Sequence, residues 1–213
     1  MTHEFKHQKM LKFVPILVEI LMRTTIALDD ELVAKVAAQL ERLTIGDPAA
    51  DSTAMGPLIR ESQRTKVEAM IDRARRDGAQ IAYGGGRPAH LDRGYFVEPT
   101  LLVDVHNSME IARQEVFGPV GVIISFDDED DAIRIANDSD YGLGGGVWSA
   151  DPLKAYAIAR QLRTGTVSVN GGAGALNPGA PFGGYKRSGL GREWGAHGMQ
   201  EYLEHKAVTW PVA

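Results

Sequence analysis

The stretch Val120-Gly-Val-Ile-Ile-Ser-Phe126 is apolar at almost every position. A strand with one face in water would alternate polar and apolar residues, so this run predicts a strand buried on both faces, as in a parallel sheet. Helical patterns on either side of it complete the inference. Asp29 or Asp30 caps a helix to about Leu43, with Leu32, Val36, Leu40 and Leu43 on one face. A second helix is predicted from Glu61 to Asp77, with Val67, Met70, Ile71 and Ala74 turned inward and Gly78 as its stop. The acidic run Asp127–Asp131 opens a helix to about Asn137, and Asp151-Pro152 opens another to about Arg163.

Between these helices lie short extended segments: Gln80–Tyr83, Phe96–Val105, Gly144–Trp148, Gly165–Asn170 and, last, Lys206–Trp210. Strands alternating with helices indicate an α/β fold with a largely parallel sheet flanked by helices. Residues 1–24 read differently, basic at first and then apolar, with no caps. Their apolar run, Phe13 to Met22, is too short to span a membrane and is interrupted by Pro15 and Glu19. Nothing in it reads as a signal peptide.

Composition narrows the chemistry. The 213 residues are 44% hydrophobic and 24% charged, with a net charge of −5. That is globular composition without the basic footprint of a nucleic-acid or membrane binder. There is no cysteine. Disulfides, thiolate metal sites and a cysteine nucleophile are excluded for these residues, and the composition fits the cytosol. The six histidines are scattered and form no metal-ligand spacing, so no metal site is expected. Glu193 and His197 lie four apart, but a solvated pair is the plainer reading. No G-x-S-x-G elbow is present, and Ser168 and Ser188 read as structural hydroxyls. The acidic residues 127–131 read as a solvated helix start rather than a cation site.

Two stretches ask for more. Ala180 to Gly195 is glycine-rich and carries Lys186, Arg187 and Arg192. A dinucleotide loop needs G-x-G-x-x-G directly between a strand and a helix. Here Gly189, Gly191 and Gly195 are spaced one residue too long, and Lys186-Arg187 is not the G-K-[ST] of a P-loop. A tight loop packed under a neighbouring element is the better reading. The second stretch, Arg113-Gln-Glu-Val-Phe-Gly-Pro-Val120, stands just before the buried strand. Glu115 there can accept two hydrogen bonds from a ribose diol, and Phe117 can pack on a flat ring. On spacing alone, an ordinary turn with a buried phenylalanine is the plainer reading.

Glu115-Val-Phe-Gly-Pro-Val120 resembles the E-[IV]-F-G-P motif of the aldehyde dehydrogenase superfamily. In family order there follow Ala136-Asn-Asp-Ser-Asp-Tyr-Gly-Leu143, Gly165-Thr-Val-Ser-Val-Asn170 and Pro181-Phe-Gly-Gly-Tyr-Lys-Arg-Ser-Gly-Leu-Gly-Arg-Glu193. Ile45-Gly-Asp-Pro48, Met55-Gly-Pro-Leu58 and Gly94-Tyr-Phe-Val-Glu-Pro-Thr100 precede it. The resemblance runs from about Asp30 to Trp210. It implies a truncated aldehyde dehydrogenase catalytic domain over residues 25–204, a non-family segment over 1–24, and a C-terminal assembly strand over 205–213.

By the same resemblance, Glu115 holds the nicotinamide ribose of NAD or NADP, Phe117 packs near the nicotinamide, and Phe182 lines the pocket for a small aldehyde. The loop Gly171–Gly179 shapes substrate choice. The family nucleophile is a cysteine shortly before the helix that starts here near Asp29, where this sequence has Pro15-Ile-Leu-Val18. The family's general base and dinucleotide-binding half are not represented. The resemblance therefore implies a family oxidoreductase fragment, inactive alone and with no catalytic residue of its own. Such a fragment would pair with the family's N-terminal half or form a homo-oligomer; the alternative is a non-catalytic structural or regulatory subunit associating with a full-length or split aldehyde dehydrogenase.

Overall fold

A computed structural model describes residues 8–13, 17–22, 29–171 and 177–211. Seven strands form one sheet: β1 (Gln8–Phe13), β2 (Leu17–Met22), β3 (Gln80–Tyr83), β4 (Thr100–Val103), β5 (Val120–Phe126), β7 (Gly144–Ser149) and β8 (Thr166–Val169). Their order across the sheet is β3-β4-β5-β1-β2-β7-β8. The pairings set β4, β5, β2, β7 and β8 in one direction, with β1 and β3 reversed. Five of the seven strands thus run the same way, in a mixed sheet whose antiparallel pairings are those of β1 and β3. A two-stranded ribbon, β6 (Tyr141–Gly142) with β9 (Tyr185–Lys186), stands apart.

Alternation along β4 and β5 builds two apolar layers, because successive strand side chains point to opposite faces. Leu102, Val122, Ile124 and Phe126 enter the larger core. There they meet Val67, Met70, Ile71 and Ala74 of α2 (Glu61–Arg76), Ile111 and Ala112 of α3 (Glu110–Arg113), α4 (Glu129–Asn137) and α5 (Pro152–Ala159). Leu101 and Ile123 face the other way, toward α1 (Asp29–Glu41). Burying each such Val, Leu or Ile contributes about 1.5–3 kcal/mol.

The helix signals operate as the residues require. Gly78, at φ 109°, donates to the Arg75 carbonyl while Ala79 donates to Ala74, closing α2 with a left-handed cap. The Asp128 carboxylate accepts the Asp131 amide at 2.8 Å, so the acidic run is a helix start. Asp151 accepts the amides of Leu153 and Lys154 ahead of Pro152.

Four expectations are corrected. Leu43 lies past the end of α1 and is exposed, and Val33 takes its place beside Val36 and Leu40. α5 ends at Ala159 rather than near Arg163. Gln161 and Leu162 fold into tighter turns, and the Asn137 side chain takes the Gln161 carbonyl and the Arg163 amide. The extended segment Phe96–Val105 narrows to Thr100–Val103, because Glu98 bonds the Gly86 loop and Asp104 turns to φ 55°. Lys206–Trp210 is no strand: residues 203–211 pair with no element among the described residues, and a strand forms only where an edge receives it.

The segment 1–24, for which no element was expected, supplies β1 and β2. They join β5 to β7 through six register pairs on each side.

Candidate functional site

Helix α3 ends at Arg113, and the chain then makes a short loop into β5. Val116 is its anchor and is fully buried. Phe117 is not the buried phenylalanine of an ordinary turn: it is 60% exposed. Its φ is 51°, a left-handed conformation that a bulky side chain adopts only when its surroundings impose it. Glu115 is half-buried, and among the described residues its carboxylate engages in no hydrogen bond or ion pair. The loop thus presents an acceptor-only carboxylate and an open aromatic face two residues apart. A carboxylate accepts both hydroxyls of a vicinal diol, and the ring packs on a flat heterocycle.

The first turns of α2 hold this loop. The Gln63 side-chain amide donates to the Val116 carbonyl at 2.8 Å and to the Phe117 carbonyl at 3.0 Å. Lys66 Nζ donates to the Glu115 carbonyl at 3.1 Å and lies 5.9 Å from the centre of the Phe117 ring. Gly118 is required for close approach, since a Cβ there would meet Val67 Cγ2 at 2.6 Å. Sequence reading missed Gln63 and Lys66. Their spacing places both on one helix face, but nothing local shows that the face meets a loop some 50 residues on.

Phe182 is half-buried in the glycine-rich stretch. Its amide and carbonyl pair with Glu193, and its ring centre is 5.2 Å from that of Trp194. The rest of this stretch is latched to the end of α4, to the segment through β6 and to itself. Lys186 Nζ donates to the carbonyls of Asn137 and Ser139, Ser188 Oγ accepts the Gly142 amide, and Arg192 donates to the carbonyls of Gly184 and Gly191. Burial pushes the Lys186 ammonium below its ordinary pKa. Gly165 abuts Gly183 so closely that a Cβ would lie 1.7 Å from its carbonyl oxygen. The stretch is therefore a scaffold whose cations and backbone are spent on the chain itself.

The Phe117 loop precedes β5. Gly142 and Gly165, against which the Phe182 stretch packs, precede β7 and β8. Both candidate loops therefore lie at the N-terminal end of the parallel strands. β1 and β2 stand between β5 and β7, roughly 14 Å at the usual strand spacing. No hydrogen bond, ion pair or ring contact among the described residues joins Phe182 to Glu115 or Phe117. Part of the loop Gly171–Gly179, residues 172–176, lies outside the described residues. Among the described residues no group of three or more His, Asp or Glu could hold a metal ion, and no helix is long and apolar enough to cross a membrane.

Comparison with known proteins settles the ancestry of these loops. The model of the aldehyde dehydrogenase family matches residues 23–208. The chain belongs to the aldehyde dehydrogenase family. A Staphylococcus saprophyticus protein named as an aldehyde dehydrogenase is 43% identical over 184 residues, covering 86% of this chain and 38% of that protein. The structure of an aldehyde dehydrogenase from Mycobacterium tuberculosis complexed with NAD+ superposes with a TM-score of 0.82 and 47% identity, covering 91% of this chain and 39% of that one. An aldehyde dehydrogenase C mutant from Pseudomonas syringae, in complex with NAD+ and octanal, gives 0.81 and 41%, covering 89% and 39%. The chain thus spans under two-fifths of the length of these aldehyde dehydrogenase relatives, and it is a partial form of the family fold.

Proposed function

We propose that residues 25–204 are the C-terminal portion of an aldehyde dehydrogenase catalytic domain. The reaction of the whole assembly would convert an aldehyde, NAD(P)+ and water to a carboxylic acid, NAD(P)H and a proton. The observation that carries this reading is the loop that offers the Glu115 carboxylate and the exposed Phe117 ring side by side. Diol acceptor and aromatic face fit a nicotinamide nucleoside by charge and shape. Bound there, the oxidised nicotinamide supplies the hydride acceptor. Glu115 fixes the ribose through its hydroxyls, Phe117 limits how the ring can tilt, and Phe182 contributes an apolar wall for a small aldehyde. That NAD+ accompanies related structures favours NAD over NADP.

The chain by itself does not carry out the reaction. It has no cysteine, so covalent capture of the aldehyde needs a thiolate from outside these 213 residues. Its role is then to complete a site together with another dehydrogenase portion, in the cytoplasm, without nucleic acid or membrane as partner. A second reading makes it a structural or regulatory subunit. It is favoured by the C-terminal segment, where Tyr202, Leu203, Val208 and Trp210 are exposed and residues 205–211, which join no strand among the described residues, would add to a neighbour's sheet, including that of a second copy.

The test is NADH or NADPH formation by the purified chain with a panel of aldehydes, then the same assay after adding a cysteine-bearing dehydrogenase portion. No turnover alone and turnover on addition is the expected result. A stable complex without turnover favours the subunit reading. Turnover by the chain alone overturns the proposal.

A further inference from the structure

The conformation of Phe117 needs a cause. Its ring is exposed, so apolar burial does not hold it. Its φ of 51° costs on the order of 1–3 kcal/mol for a non-glycine residue unless neighbours over-determine it. The backbone carbonyls of Glu115, Val116 and Phe117, three in a row, are all taken by side chains from one turn of α2. Gln63 takes two of them. Fixing the carbonyls on both sides of the Phe117 Cα fixes the two peptide planes that define its φ and ψ.

We infer that Gln63 is the positioning residue that holds Phe117 in its exposed, left-handed conformation. Lys66, three residues on, assists by taking the Glu115 carbonyl. The Gln63 amide serves both carbonyls with the two N–H groups of its one terminal nitrogen. A glutamate of the same length would turn an acceptor toward two acceptors. A methionine of the same length would leave both carbonyls unserved. The importance of Phe117 rests on the cofactor reading above, but the positioning itself does not.

The test uses backbone amide exchange in the purified chain without nucleotide, so that it stands or falls separately from cofactor binding. Two amides report on the loop: Val120, bonded to the Gly118 carbonyl, and Thr100, bonded to the Pro119 carbonyl, each at 2.8 Å. Gln63→Glu and Gln63→Met should each raise exchange at these two by about tenfold or more, with Val122 to Ile124 in β5 unchanged. Glycine adopts positive φ without a clamp, so in a Phe117→Gly background the effect of Gln63→Met should fall to about threefold or less. Exchange that rises equally through α2 and β5 would mean that Gln63 merely stabilises the fold. Exchange that does not rise, or an effect that survives Phe117→Gly undiminished, would equally overturn the inference.

Discussion

Arg113 holds Asp138 by backbone and side chain together. Its Nη1 donates to the Asp138 carbonyl and to Oδ1, both at 2.9 Å, while Nη2 donates to Oδ2 at 2.7 Å. The contact ties the end of α3, two residues before Glu115, to the cap of α4. It is a forked pair of parallel hydrogen bonds, which a guanidinium makes and an ammonium does not.

Arg113→Ala should therefore lower stability by about 1 kcal/mol, since the pair is only partly shielded from water. Arg113→Lys should recover less than half of that. Urea unfolding is the measurement, and the slope with denaturant should not change, because the surface exposed on unfolding is the same.

Gly118 and Val67 form a second testable pair. A methyl group at Gly118 would sit 2.6 Å from Val67 Cγ2, and Val67 is fully buried under the loop. Gly118→Ala should cost about 1–3 kcal/mol through overpacking. Val67→Ala alone should cost a similar amount through the cavity it leaves. Together they should cost less than the sum, because the new methyl enters the vacated space. Additive losses in a denaturation cycle would show that the loop does not pack on Val67.

Much of this arrangement was legible in the residues. Val120–Phe126, the stop at Gly78 and the cap at Asp151 are local signals, each settled within a few positions, and the structure places all three accordingly. The E-V-F-G-P stretch could be singled out because a carboxylate and an aromatic stand beside a buried strand. What held them could not. Gln63 looks like any polar helix residue until a loop 53 residues away delivers its carbonyls. β1 mixes lysines with apolar residues in a pattern that selects no face, and its place in the sheet is decided by β5, far along the chain. Glycine-rich 180–195 was legible as a tight loop packed under a neighbouring element, but not which neighbours: Asn137, Gly142 and Gly165 all lie outside it.

The pair between Glu68 and Arg87 predicts an acid sensitivity. Arg87 Nε and Nη2 donate to the two Glu68 oxygens at 2.5 and 2.9 Å, joining α2 to the turn after β3. The hydrogen bond from Arg87 holds the Glu68 carboxyl below its ordinary 4.5. The folded state then binds the proton less readily than the unfolded chain. The contribution is full above about pH 4.5 and is lost as pH falls through the lowered folded value. Glu68→Gln should lower the melting temperature near neutral pH, with wild type and variant converging as pH falls through the lowered folded value. High salt should shrink the difference, because the pair is partly exposed. A constant gap across the acid range would remove Glu68 from the acid response.

The central position of β1 yields the most severe prediction. Leu11 is opposite Glu19 on one side and Ile123 on the other, so the strand bonds in both directions. Without β1 and β2, β5 and β7 are not neighbours, and the two halves of the sheet have no ladder between them. Proline at position 11 removes one ladder donor and cannot be moved to an edge. Leu11→Pro should cost about 3 kcal/mol or more, a large share of the 5–15 kcal/mol that holds a typical domain. Leu190→Ser, at a fully exposed loop position, should change stability by less than about 0.5 kcal/mol. Thermal unfolding of the two variants beside the parent chain decides the matter. If Leu11→Pro melts with the parent, the segment before residue 23 does not hold the sheet together.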